Sequence, residues 1–326
     1  MISRPVISRK LRSRDLRPRD LNLSSTVGSV VLPNPIMTAA GTAGHGAELG
    51  AYVALDQLGA VVVKSLSATP WAGNPPPRLH PTSSGMLNSV GLQGPGVQAW
   101  LSEELPALAA AGARVVASIW GRSVEDFAAA AALLEAAPAC VIAVEVNVSC
   151  PNLEDRSRLF AHDPAAAAAV VEATAVCGRP RWAKLSPNTD RLVEVASAVC
   201  EAGAEAVTLI NTVVGMVIDT ETRRPVLGAG GGGLSGPAIH PVAVRAVYDV
   251  HAALPYLPIV GVGGVARGVD AVELLLAGAS AIQVGTVTFA DPYAPIWVLD
   301  ELKKWCHSHG VDDVSSLVGA AHRRRS

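Results

Sequence analysis

The stretch Val144-Glu145-Val146-Asn147-Val148-Ser149-Cys150-Pro151-Asn152 decides how the rest of the chain is interpreted. Its first half alternates and is rich in β-branched residues, which predicts a buried strand. Pro151 has no N–H to donate to a neighbouring strand, so we expect the strand to end in a turn. Asn147, Cys150 and Asn152 at that end could hold a flat polar ring and act on it. The alternative is a capped strand end with one buried cysteine.

The composition is that of a globular protein without a general affinity for polyanions. Its 326 residues, 50% of them hydrophobic, suffice for one large barrel or two ordinary domains. The net charge of −2 and the pI near 6.4 exclude a general attraction to nucleic acid or anionic membranes. The five cysteines form no C-x-x-C pair, so we expect a cytoplasmic protein without a zinc site or an iron–sulfur cluster.

The two ends of the chain differ from its middle. The first 20 residues contain six Arg and one Lys against two Asp, so residues 1–22 are interpreted as a basic, disordered arm. An Arg-rich transit peptide is the alternative for this arm. Residues 23–310 form the predicted domain, and residues 311–326 a C-terminal tail. No apolar run reaches the roughly 18 residues that a membrane span needs.

Short apolar runs alternate with helical patterns rich in Ala and Leu through the middle of the chain. Eight runs are predicted strands, namely 35–40, 60–64, 115–120, 142–147, 182–185, 206–211, 258–262 and 281–284. Helices are predicted at 46–58, 97–111, 124–135, 164–176, 189–201, 241–253, 269–276 and 294–307. Eight such units in a chain of this length predict a single-domain (β/α)₈ TIM barrel.

Polar and glycine residues follow the predicted strands, where a barrel of this kind places its active site. Lys64 and Lys184 each end an apolar strand, and a buried ammonium indicates an anionic ligand group or a ring that takes on charge. For either lysine alone, an exposed position at the start of a loop is the alternative. Gly263-Gly264 and Gly285-Thr286 follow the seventh and eighth strands, where such barrels often bind phosphate. The long connections 65–96 and 212–236 are predicted to cover the mouth of the barrel.

These motifs together resemble those of class 1 dihydroorotate dehydrogenases. The resemblance covers roughly residues 23–305 and is carried by the motifs Asn147-Val-Ser-Cys-Pro-Asn152, Lys64-Ser65, Met86-Leu-Asn-Ser-Val-Gly-Leu92, Lys184-Leu-Ser-Pro-Asn188, Gly233-Leu-Ser-Gly-Pro-Ala-Ile239 and Gly261-Val-Gly-Gly264. It implies an FMN-containing barrel that oxidises dihydroorotate to orotate. Gly215-Met-Val-Ile-Asp219 is most similar to the type that works with an FAD and iron–sulfur subunit to reduce NAD⁺. A homodimer is the expected assembly of the chain itself.

The resemblance also assigns roles to individual residues. It makes Cys150 the base that removes a proton from substrate carbon 5 while carbon 6 gives hydride to the flavin. The implied substrate-binding residues are Lys64, Asn88, Gly91, Leu92, Asn147, Asn152, Asn211 and Thr212. Those implied for FMN are Ala40, Gly41, Lys64, Ser65, Ser118, Asn147, Lys184, Gly236, Gly263, Gly264, Gly285 and Thr286.

Three features depart from the family pattern. Ser118 stands where an Asn is common, Ala40 where a Ser is frequent, and the loop after Asn152 lacks the expected glycines. Because that loop follows the predicted base, its closure over the substrate is the most affected property. Three alternatives stay open: oxidation of another dihydropyrimidine, a flavin-free barrel with isomerase or aldolase chemistry, and a flavin-binding scaffold without activity.

Overall fold

The computed structural model describes residues 21–149 and 160–323, and its centre is one eight-stranded parallel sheet. The strands are β1 (Ile36–Thr38), β2 (Val61–Val62), β3 (Val115–Ile119), β4 (Val141–Asn147), β5 (Arg181–Lys184), β6 (Ala206–Leu209), β7 (Ile259–Val262) and β8 (Ala281–Val284). Their spatial order is β1-β8-β7-β6-β5-β4-β3-β2. A parallel bridge between Met37 and Ala60 joins β1 to β2, which closes the predicted (β/α)₈ barrel.

Helices on the outside of the barrel connect these strands. The longer ones are Val124–Leu133, Pro164–Ala173, Leu192–Glu201, His240–Ala253, Gly268–Ala277 and Ala294–His309. The predicted helix 97–111 is interrupted, because Val97–Ala99 and Leu105–Ala110 flank a π-helical turn at Trp100–Glu104. Pro106 has no N–H for the usual bond four residues back, which favours the wider turn here.

The predicted helix 46–58 is wrong. The chain forms two short 3₁₀ turns there, Glu48–Ala51 and Leu55–Gln57. Gly46 and Gly50 raise the entropic cost of a continuous helix. The carboxylate of Glu48 also accepts a hydrogen bond from the Gly46 N–H, 2.9 Å away, and so stabilises a local turn instead.

The interior of the barrel consists of layers, because every second residue of a strand points inward. The lowest layer is an apolar cluster that includes Met37, Val62, Val116, Ala143, Trp182, Ala206, Val260 and Ala281. Val27, Val30 and Leu32 belong to the same cluster, so the hairpin of Ser25–Val27 and Val30–Leu32 closes this end. Two residues further along their strands lies a polar layer of Ser118, Glu145, Lys184, Thr208 and Gln283.

The two long connections meet in a second sheet above the barrel, here called the cap sheet. Its antiparallel strands are, in spatial order, Val213–Gly215, Gly232–Ser235, Gly85–Asn88 and Leu79–Thr82. A separate small hairpin pairs Ile218–Asp219 with Arg224–Pro225. The cap sheet therefore combines parts of the chain about 145 residues apart over the carboxyl ends of the barrel strands.

Residues 311–323 lie against the barrel. Asn22 bridges to Asp313, and Val314 and Leu317 of the 3₁₀ turn Val314–Leu317 are buried. Further 3₁₀ turns are Phe160–His162, Thr174–Cys177, Pro237–Ile239, Thr286–Phe289 and Ala320–His322. Among the described helices, none is both long and apolar enough to span a membrane.

Candidate active site

A cavity of about 450 Å³ lies between the barrel mouth and the cap sheet. It brings together residues that the sequence analysis selected from all parts of the chain, namely Ala40, Gly41, Lys64, Ser65, Asn88, Gly91, Leu92, Asn147, Lys184, Asn211, Thr212, Gly236, Gly263, Gly264, Gly285 and Thr286. Ser118 is fully buried one layer lower, where its hydroxyl lies 2.8 Å from that of Ser65. Cys150 and Asn152 lie outside the described residues.

Lys64 brings a positive charge to the cavity wall just beyond β2. Burial lowers the pKa of its ammonium, and the nearby positive charge of Arg78 lowers it further. Among the residues that the structure describes, no acceptor bonds to Nζ. A half-buried cation without an acceptor is unfavourable in the free protein, so this position is suited to an anionic group of a ligand.

The amides of Asn147 and Asn211 form the polar side of the cavity. Asn211 Nδ2 donates to Asn147 Oδ1 at 3.1 Å, and Asn147 Nδ2 donates to Ser65 Oγ at 3.3 Å. From the cap sheet, Asn88 Nδ2 donates to the Gly233 carbonyl at 3.3 Å. These bonds fix the direction of each amide, so the three side chains present oriented polar groups that suit a planar ring with alternating N–H and C=O groups.

Lys184 ends β5 at the floor of the cavity and is almost completely buried. Its Nζ lies 3.5 Å from Oε1 of Glu145, which belongs to the polar layer below. The Ser149 hydroxyl donates to the Lys184 carbonyl at 3.4 Å and so connects the ends of β4 and β5. The floor of the cavity thus carries an ammonium paired with a buried carboxylate.

Glycines form a backbone cradle at the ends of β7 and β8. Gly236 and Gly264 have φ angles of +98° and +69°, which favour glycine. A Cβ on Gly264 would lie 2.7 Å from the His240 Cβ and 2.9 Å from the Gly236 carbonyl. His240 Nδ1 also bonds to the Gly263 carbonyl at 2.8 Å, which holds this loop against its helix.

The cradle and the cavity fit a phosphorylated flavin. Among the described residues, the amides of Gly264, Gly285 and Thr286 have no backbone acceptor, so these donors are available to a phosphate. The cavity volume lies within the range of cofactor sites, roughly 300–1,000 Å³. Lys184 at the floor matches a ring that takes on negative charge when reduced. The described residues contain no group of three or more His, Cys, Asp or Glu that could hold a metal ion.

Several contributors to the cavity were missed by the sequence analysis. Asn74 lines it and donates to the carbonyl and hydroxyl of Ser89, both at 3.2 Å. Phe289 also lines it, from the turn after β8. Glu145 lies below the cavity, in contact with Lys184. It could have been found, because the alternation in Val144–Asn147 places it on the same face as Asn147. Asn74 and Phe289 had no comparable signal, since no strand pattern aims them inward.

Comparison with known proteins gives consistent matches along the chain. Residues 22–305 match the family model described as dihydroorotate dehydrogenase. A protein from Trichlorobacter lovleyi, named dihydroorotate dehydrogenase B (NAD(+)), catalytic subunit, is 45% identical over 299 residues, which are 91% of this chain and 98% of that protein. A protein of the same name from Desulforudis audaxviator is 46% identical over 298 residues, 91% of this chain and 96% of that protein.

A further relative has a different type name. This protein, from Solibacter usitatus, is provisionally named dihydroorotate dehydrogenase A (fumarate). It is 45% identical over 298 residues, 91% of this chain and 97% of the relative. Because relatives of both type names are equally similar to the chain, overall identity does not separate the NAD⁺ type from the fumarate type.

Proposed function

The chain belongs to the dihydroorotate dehydrogenase family, and on that premise we propose how its cavity carries out the oxidation of dihydroorotate to orotate. The enzyme is an FMN flavoprotein of pyrimidine biosynthesis. The observation that supports our assignment of residues is the convergence of Lys64, Asn88, Asn147 and Asn211 on one cavity that also contains the glycine cradle.

Substrate binding follows from the charges and amides of this cavity. Lys64 binds the carboxylate of dihydroorotate, because its ammonium lacks an acceptor among the described residues. Asn88, Asn147 and Asn211 bind the N–H and C=O groups of the ring, together with Thr212 and the backbone at Gly91 and Leu92. Asn152, which lies outside the described residues, completes this set in the proposal. The cap sheet limits access of water to the bound ring.

Cofactor binding uses the other half of the cavity. The amides of Gly236, Gly263, Gly264, Gly285 and Thr286 hold the phosphate of FMN, while Ala40, Gly41, Ser65 and Lys184 contact the flavin, and Ser118 supports Ser65 from below. When bound, FMN supplies the acceptor for the hydride from substrate carbon 6. Lys184 stabilises negative charge that develops at the floor of the cavity.

The proton from substrate carbon 5 goes to Cys150 in this proposal. Cys150 follows Ser149, whose backbone N–H donates to Asn147 Oδ1 at 3.3 Å. A thiol at neutral pH is only partly ionised, since a free Cys has a pKa of about 8.5. The base therefore needs donors or a closed site around it, and we propose Ser149 and the amides of Asn147 and Asn152 for this role.

An electron-transfer partner is implied by the relatives named as catalytic subunits. We propose that this partner carries FAD and an iron–sulfur cluster, because the cysteines of this chain are not clustered. We further propose that the chain itself forms a homodimer. The free thiols of Cys140, Cys177, Cys200 and Cys306 favour a cytoplasmic location.

Anaerobic addition of dihydroorotate to the purified protein tests the activity. We expect a yellow protein whose visible flavin absorption is bleached by dihydroorotate. A colourless protein would favour flavin-free barrel chemistry, and a yellow protein that dihydroorotate does not bleach would favour a scaffold. Bleaching by a different dihydropyrimidine, but not by dihydroorotate, would move the substrate within the same class of reaction.

A further inference from the structure

Glu145 is a fully buried carboxylate in the middle of the barrel, and the proposed mechanism does not use it. Its Oε2 accepts from Gln283 Nε2 at 2.7 Å and from Thr208 Oγ1 at 3.2 Å. Its Oε1 accepts from Ser118 Oγ at 3.3 Å and from Lys184 Nζ at 3.5 Å. Four donors from four different strands around two oxygens are the pattern of an ionised carboxylate.

Burial of this charged pair is energetically unfavourable, so we expect the charge to serve a function. Interior positions of such barrels are dominated by branched apolar side chains, and the layer below Glu145 follows that rule. Burial of a carboxylate and an ammonium together is often no more stable than apolar packing of similar volume. A structural role alone therefore gives little reason for an ion pair at this depth.

The position of the pair connects it to the cavity. Lys184 lines the cavity floor, and Glu145 lies directly beneath it in the polar layer. Among the described residues that line the cavity, the ionisable side chains are Lys64 and Lys184. Lys64 faces Arg78 and His45, and no carboxylate in the part of the chain that the structure describes makes a hydrogen bond to it. Glu145 is thus the counter-ion of one of the two cavity lysines and not of the other.

We propose that Glu145 is a positioning residue for the redox reaction, which holds the ammonium of Lys184 in place on the cavity floor where FMN would bind and offsets its charge. This inference rests on the proposed function, specifically on the placement of the flavin over Lys184. The pair presents a fixed cation to the flavin while its net charge is zero.

Removal of the carboxylate changes both the net charge of the pair and the position of the ammonium. Without Glu145, the cavity floor gains one net positive charge, so the reduced, anionic flavin is favoured. The charge-assisted hydrogen bond between Glu145 Oε1 and Lys184 Nζ is lost at the same time, so the ammonium is no longer held in one place.

Glu145→Gln is suited to test this, because the neighbouring amide can adapt. Gln283 Oε1 is buried and has no partner among the described residues. If the Gln283 amide turns over, this oxygen accepts from the new amide at position 145, so the hydrogen bonds of the layer are retained while the charge is lost.

The experiment measures the reduction potential of bound FMN against pH by spectroelectrochemistry, in wild-type holoenzyme and in Glu145→Gln. Near pH 6 we expect the variant to favour reduced flavin by about tenfold, equivalent to about 30 mV for a two-electron couple. The same potential in both proteins would overturn the inference.

Two further variants separate positioning from general effects. In a Lys184→Met background the ammonium that Glu145 holds is absent, so Glu145→Gln should change the potential less there than in wild type. An equal change would show that Glu145 does not act through Lys184. Glu205→Gln removes a carboxylate at the opposite end of the barrel, where it accepts from the Ser29 N–H at 2.7 Å. This control should leave the potential unchanged, and a shift equal to that of Glu145→Gln would contradict the proposal.

Failure to fold and failure of the proposed function give different results. If Glu145→Gln does not fold, Glu145→Asp replaces it, because Asp keeps the charge but cannot reach Lys184 as closely. We expect a smaller change in the reduction potential in the same direction, and an unchanged potential would refute the inference. A lower melting temperature of the FMN-free variant with an unchanged potential would show a purely structural residue. A wild-type protein that binds no FMN would instead refute the assignment of the cavity.

Discussion

Replacement of Lys64 by methionine tests whether the cation on the cavity wall binds the substrate carboxylate. The ammonium lines the cavity and has no acceptor among the described residues, so the charge is available to a ligand. A hydrogen bond to a charged group contributes about 1.5–3 kcal/mol. Because 1.4 kcal/mol corresponds to a factor of ten, we expect orotate to bind roughly 10- to 150-fold more weakly to Lys64→Met.

The same change should affect the stability of the ligand-free protein in the opposite direction. Burial, followed by the charge of Arg78, lowers the pKa of Lys64 in the folded protein below its usual range. The folded state therefore binds this proton less well than the unfolded chain does, and stability rises with pH as Lys64 deprotonates. At neutral pH the charged Lys64 costs stability, so we expect Lys64→Met to have a higher melting temperature than wild type. That difference should shrink as the pH rises through the lowered pKa.

The pH dependence of orotate binding provides a second test of Lys64. Only the protonated ammonium attracts the carboxylate, so wild-type affinity should fall as the pH rises through the lowered pKa of Lys64. Lys64→Arg stays charged over this range and should lose that dependence. The affinities are measured by titration of the oxidised holoenzyme with orotate, through the change in the flavin spectrum.

A surface lysine offers a matched control for Lys64. Lys303 is partly exposed on the last helix and pairs with Asp300 at 3.0 Å, so Lys303→Met should change neither orotate binding nor its pH dependence. A dissociation constant for Lys64→Met within about threefold of wild type, an energy difference well below that of one charged hydrogen bond, would refute the role of Lys64.

Three other predictions concern the base, the cradle and the electron acceptor. Cys150→Ser should retain FMN and bind orotate, while flavin reduction in a stopped-flow measurement should slow by the ~10²- to 10⁴-fold typical of a lost general base. A reduction rate within a few-fold of wild type would instead make Cys150 a packing residue. Gly264→Ala should weaken FMN binding in a fluorescence titration, because the added Cβ would collide with His240. Gly310 is the matched control: it has the same φ of +69° but no neighbour within 4 Å of an added Cβ, so Gly310→Ala should bind FMN normally. The isolated chain should reduce NAD⁺ slowly in steady-state assays. Rapid NAD⁺ reduction would remove the need for a partner, and efficient turnover with fumarate would indicate the fumarate type of the enzyme.

The barrel and the positions of its strand ends were predictable from local patterns. Each strand is a short run of Val, Ile and Ala between helical segments, and such a run is buried whichever strands lie beside it. The end of each strand can therefore be located without the tertiary structure, which is why Lys64, Asn147, Lys184 and Asn211 were found. The predicted helix 46–58 was wrong because glycines and a local carboxylate bond outweighed its apolar spacing.

The tertiary structure alone decided which distant groups meet. The pairing of Gly85–Asn88 with Gly232–Ser235 joins two long connections, and neither connection indicates the other in its own sequence. The partners of Glu145 also cannot be predicted from local sequence, because Gln283 lies 138 residues further along the chain and reaches the carboxylate only when the barrel closes. Local sequence determines whether a strand forms and which side chains face inward. Strand order and register determine the neighbours of those side chains, and both depend on packing of the whole barrel.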